Sequence, residues 1–315
     1  MKIRQARWIG GWSTRVGFLA LAMLAAGPTA AYGHQPVTGV AEATRTWNPD
    51  PLVMVVLAGV SVLYLLGRAR LRTPPATRSR IDRVRPGLMF AGIALLAVAL
   101  VSPLDALSSV LFSAHMTQHL VLTVLAPLLL VLSRPVLPLM LGLPARLRRL
   151  LSRRAFALRP LTSGPVAAGL MVLGHAAVLW LWHVPALYES ALSNPAVHAF
   201  EHTTLFVTAL LVWSVSMAPT RPGLGLAALV FTALQGVALG ALLTFSSRVL
   251  YPSYQAGAWG LTALEHQQLG GLLMWMPTGV VYVACCLWVL GRRAGLSLAD
   301  TTRSDPPRLP EVSRG

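Results

Sequence analysis

Seven apolar runs, each near the ~20 residues a helix needs to cross a bilayer, constrain this chain more than any other feature. They fall at about 51–67, 87–104, 111–133, 165–183, 197–218, 224–245 and 263–290. Inside a bilayer each segment must satisfy its own backbone polar groups, so runs of this length fold as helices. The predicted fold class is all-α: a polytopic membrane bundle with seven transmembrane helices. Composition agrees. Of 315 residues 55% are hydrophobic and only 11% charged, less than half the charge of an ordinary soluble domain.

The charge is one-sided: the formal net value is +16, and 25 of the 26 Lys+Arg are Arg. A nucleic-acid binder carries its bases on solvated faces. Here they cluster between apolar runs, which argues for a lipid partner and against nucleic acid. The segments 68–85 and 134–159 hold seven Arg each, the turn at Arg221 one and the tail after Leu290 five. Only Arg45 and Arg248 fall on the opposite side. Twenty against two predicts a multi-pass protein of the plasma (inner) membrane with a cytoplasmic C-terminus.

Four regions follow. Residues 1–33 have a basic start (Lys2, Arg4, Arg7, Arg15), a short apolar stretch and small residues at Ala31 and Gly33. They read as a signal peptide or a signal anchor. Residues 34–50 form an exoplasmic segment, 51–290 the seven-span domain, and 291–315 a polar, Pro-containing cytoplasmic tail predicted to be disordered. Between the third and fourth spans, 134–160 alternates Leu with Arg and predicts a basic amphipathic helix at the cytoplasmic interface. The two cysteines, Cys285 and Cys286, are adjacent. With no CxxC or CxxCH, thioredoxin chemistry and covalent haem attachment are disfavoured.

The topology rests on Arg alone, and all eight histidines fall on its outer side or outer half. His34 precedes the spans. His115 and His119 open the third span, His183 closes the fourth with His175 two turns deeper, His198 and His202 open the fifth, and His266 opens the seventh. His115/His119 and His198/His202 are i,i+4 pairs, each on one helix face. A single histidine at a span end is usually an interfacial anchor. Seven on four spans point instead to a metal or cofactor site, because ionisable groups in a membrane are costly. The metal candidates are thus His115, His119, His175, His183, His198, His202 and His266. Imidazole suits copper, zinc, iron and nickel alike.

Supporting candidates are Met116, whose thioether suits Cu(I) unless it only fills the core, Asp105, and Glu201. Glu201 lies 100° from His202 on the helix and is expected to orient an imidazole from behind. Pro127 and Pro277 interrupt spans and either open backbone or kink it. Gln118, Gln235, Gln267 and Gln268 are expected to hydrogen-bond between helices.

The runs SPLDALSSVLFSAHMTQHLVLTVLAPLLLVLSRP (102–135), WHVPALYESALSNPAVHAFEHTTLFVTALLVW (182–213) and HQQLGGLLMWMP (266–277) resemble the polytopic CtaG-type cytochrome c oxidase assembly factors over roughly residues 50 to 290. The resemblance implies a seven-span, non-enzymatic assembly factor for haem-copper oxidase that binds or delivers copper. Its partners would be oxidase subunits and a copper donor protein.

Three other readings stay open. His198-Ala199-Phe200-Glu201-His202 matches the H-x-x-E-H zinc-hydrolase pattern, with Glu201 as base. A haem-binding electron carrier would take one axial histidine from each of two facing helices. A copper permease would need ligands through the cytoplasmic half, which offers only Cys285 and Cys286.

Overall fold

The computed structural model describes residues 39–71, 80–157, 162–254 and 257–301. The expected signal segment, His34 and residues 302–315 lie outside them. Among the described residues all regular structure is helical apart from one bridge, Ala258 to Leu261. In chain order the helices are α1 (Val40–Ala43), α2 (Pro51–Ala69), α3 (Arg80–Val101), α4 (Pro103–Ser108) and α5 (Phe112–Ser133). Then come α6 (Val136–Gly142), α7 (Ala145–Ala157), α8 (Pro165–Trp182), α9 (Pro185–Ser193), α10 (Pro195–Ser216), α11 (Pro222–Thr244) and α12 (Ala263–Thr301). Seven of these, α2, α3, α5, α8, α10, α11 and α12, are long and apolar enough to cross a membrane. They coincide with the seven apolar runs.

Proline sets most of the starts. Pro51, Pro103, Pro165, Pro185, Pro195 and Pro222 each take the first helical position, where the missing N–H costs nothing. Asp50 caps α2 through Leu52 N (2.7 Å) and Val53 N (3.2 Å). Asn194 caps α10 through Ala196 N at 2.9 Å.

Inside α5 a proline has a different effect. Pro127 cannot donate to the carbonyl four residues before it, Thr123. The helix widens to π geometry over Val121–Leu125, and the Trp213 indole N–H donates to the freed Thr123 oxygen at 2.9 Å. Trp213 is fully buried and stacks on Tyr282, centroids 5.1 Å apart. It ties α5, α10 and α12 around a core that also holds Met89, Leu122, Leu130 and Leu210. A π turn of this kind directly follows His119, the last polar residue before the widening.

Helices α11 and α12 make the most extensive contact in the bundle. A Cβ on Gly271 would stand 2.6 Å from the Thr244 nitrogen and 2.7 Å from the Gly240 carbonyl, so small residues allow the backbones to meet. Gly270 beside it faces α5: a Cβ there would lie 2.4 Å from the Phe112 ring. Gln118 and Gln235 make the expected bridges between helices, whereas Gln267 and Gln268 bond to a loop. Gln118 donates to Ala99 O and Asp105 Oδ1, and Gln235 accepts from Trp180. Gln267 and Gln268 hold the 246–250 loop through Arg248 O and Ser246 O.

Two expectations are corrected. The single amphipathic helix over 134–160 is two, because Pro144 stops the first. α6 buries Val136, Pro138 and Leu139 against α2, and only α7, with no buried residue, has the basic interfacial character. The last helix outruns its span: the apolar, membrane-length part ends at Arg292, but α12 continues to Thr301, 39 residues in all. No proline occurs between Pro277 and Pro306 to stop it, so residues 291–301 of the expected disordered tail are helical.

Candidate metal centre

The N-terminal turns of α5 carry His115 and His119, and those of α10 carry His198, Glu201 and His202. The two helices bring one ligand atom each from His115, His119, Glu201 and His202 within 4.8 Å of one another. His115 Nε2 and His119 Nε2 are 2.9 Å apart. Glu201 Oε1 is 3.5 Å from His119 Nε2 and 3.9 Å from His115 Nε2. Ligands at ~2.0–2.2 Å around a tetrahedral ion stand about 3.3 Å from each other, so this triangle brackets the spacing of a first-row transition metal. Glu201 is 0% exposed, and neither of its carboxylate oxygens accepts a hydrogen bond among the described residues. A buried carboxylate without a donor is costly. A cation would supply what the hydrogen bonds do not.

The His115 imidazole is oriented from behind, as ligating histidines usually are. Tyr254 donates its hydroxyl proton to Ser108 O at 2.8 Å. The 2.9 Å contact between His115 Nδ1 and Tyr254 Oη must therefore be donated by the imidazole, leaving the Nε2 lone pair aimed at the centre. Tyr188 donates to Tyr254 at 3.2 Å. Burial holds both hydroxyls well above their ordinary pKa, so they stay protonated.

His183 is fixed in the same way, since its Nδ1 donates to Leu179 O at 2.7 Å. Its ring lies 5.9 Å from that of His119. His175 donates from Nδ1 to Thr208 Oγ1 at 2.9 Å, because Thr208 spends its own proton on Thr204 O. Both flank the centre through a cavity of about 40 Å³ that they line with His119, Met116 and Met274. On the other side a cavity of about 140 Å³ is lined by His198 and His202. The His198 ring lies 4.0 Å from His202 and 5.5 Å from His115, outside the four converging groups.

The sequence candidates thus divide. His115, His119, His202 and Glu201 converge, with Glu201 as close as the imidazoles rather than behind them. His175, His183 and His198 surround them. His266 is not gathered: its Nε2 donates to Ala258 O at 3.2 Å and its Nδ1 accepts from Ser113 at 2.8 Å. Asp105 is a brace, accepting from Asn48 and Gln118 at 2.9 Å each. Met116 is buried with Phe112.

An aromatic lid escaped the sequence reading. Tyr251 stacks on Phe112 at 4.9 Å, packs on Tyr188 at 4.2 Å and donates to His183 O at 2.9 Å. The one available sign was a pair of tyrosines, Tyr251 and Tyr254, three apart in a short loop beside the histidine-bearing helix ends.

A seven-helix bundle with a buried His/Glu cluster at one end defines a class of polytopic membrane protein. The sequence profile of the cytochrome c oxidase caa3 assembly factor family matches residues 62–294. The chain belongs to that family. No curated protein and no solved structure gives a significant match.

Proposed function

We propose that the protein binds copper at His115, His119, His202 and Glu201 and passes it to haem-copper cytochrome c oxidase during assembly. The observation that carries the reading is the fully buried, hydrogen-bond-free Glu201 carboxylate within 3.5 Å of His119 Nε2. Imidazole and carboxylate accept several metals, and copper heads the order among the divalent ions. One carboxylate with neutral imidazoles also balances a monovalent ion, which leaves no net charge in a low-dielectric interior. Cuprous ion fits that balance better than zinc.

In this reading the protein turns over no small substrate. It holds its cargo in imidazole lone pairs, that of His115 oriented by Tyr254, and excludes water with the tyrosine lid. The histidine end faces the exoplasmic side of the cell membrane and the C-terminus faces the cytoplasm, which the Arg distribution supports. A copper donor protein would load it, and oxidase subunits would receive the ion. Metal analysis of the purified protein with an optical spectrum tests this. Bound copper without a Soret band is expected; a Soret band or stoichiometric zinc would overturn it.

A further inference from the structure

The cavity of about 140 Å³ shares a wall with the centre but holds none of its ligands except His202. It lies between α2, α3, α5 and α10. Half-buried Asn48 and exposed Pro195 mark its rim, and Asp50, Asp105 and His198 continue the polar side of its lining toward His202. Among the described residues no Lys or Arg lines it. Acidic, cation-free clefts in low-dielectric walls concentrate cations and raise their on-rates. His198 stands where this lining meets the centre, its ring against both His202 and His115. The cavity of about 40 Å³ on the far side has no carboxylate.

Resting on the copper reading, we propose that the larger cavity is the loading route and that His198 is its hand-over ligand. A cation entering past Asp50 and Asp105 meets His198 first. One helical turn further it is exchanged to His202, with His115, His119 and Glu201 completing the set. His198 sets the rate of loading, and the other four set its equilibrium.

The test uses the full chain in lipid nanodiscs and cuprous ion released from a chromophoric chelator, followed by stopped flow. His198→Ala should slow loading by about tenfold or more while final copper content is unchanged. Ala199→Phe, which fills the same cavity, should slow it as well. Gly236→Leu fills the smaller cavity, where an added Cβ meets nothing within 4 Å, and should load at the unaltered rate. Normal rates in both His198→Ala and Ala199→Phe, or slowing in Gly236→Leu alone, would overturn the route. Loss of final copper content in His198→Ala would make it a resident ligand and overturn its hand-over role. Failure of the unaltered chain to take up copper would instead overturn the copper reading itself.

Discussion

His115 Nε2 and His119 Nε2 face each other at 2.9 Å across one turn of α5. Two N–H groups would repel at that distance, so at most one of these nitrogens is protonated. Because His115 donates from Nδ1 to Tyr254, its Nε2 is the lone pair. His119 either donates to it or, with its proton on Nδ1, turns a second lone pair to the same point. The pair is therefore a switch between a hydrogen bond and a two-nitrogen clamp. Replacing both residues by Ala should abolish stoichiometric copper binding while the protein still inserts in the membrane. Unchanged copper content in that variant would exclude the clamp.

Of the four converging groups, Tyr254 hydrogen-bonds His115. Tyr254→Phe keeps the ring packed on Phe112, 5.7 Å away, and removes the oxygen that fixes the imidazole. Loss of such a partner weakens metal binding by about 10–100-fold. Chelator competition should show that loss in affinity with unchanged stoichiometry. Equal affinity would mean that another group orients His115.

The π turn after His119 depends on a division of labour between Pro127 and Trp213. Trp213→Phe removes the indole donor to the Thr123 carbonyl, at a cost of about 1 kcal/mol. In a Pro127→Ala background residue 127 regains its N–H and can serve that carbonyl itself, so the same substitution should cost less. A double-mutant cycle on unfolding in detergent measures the difference. Additive losses would show that the indole acts by packing and not by its N–H.

The seven spans were legible because ~20 apolar residues in a bilayer leave the backbone no alternative to helix. The gathering of His115, His119 and His202 was partly legible too, since i,i+4 pairs share a face and the span ends share a rim. What lay beyond the sequence was reach and return. Periodicity places Glu201 at 100° from His202 but says nothing of two methylenes that carry its carboxylate to His119. It does not give the path of the 246–262 loop, which brings Tyr254 to His115 and Ala258 to His266. Nor does Pro127 name the residue that takes up the carbonyl it frees.

Glu201 and His266 give the sharpest contrast between the sequence expectation and the structure. His266 is engaged at both nitrogens by Ser113 and Ala258, so His266→Gln should keep full copper content. Glu201→Gln keeps the side-chain shape but removes the charge that would balance a cation, and among the described residues both carboxylate oxygens lack a competing donor. It should lower copper affinity and oxidase assembly together, each measured on the same membranes. A hydrolytic base behaves otherwise: its loss leaves the metal in place and stops the chemistry. Full metal occupancy with complete loss of function in Glu201→Gln would therefore replace copper delivery by hydrolysis at the His198–His202 motif.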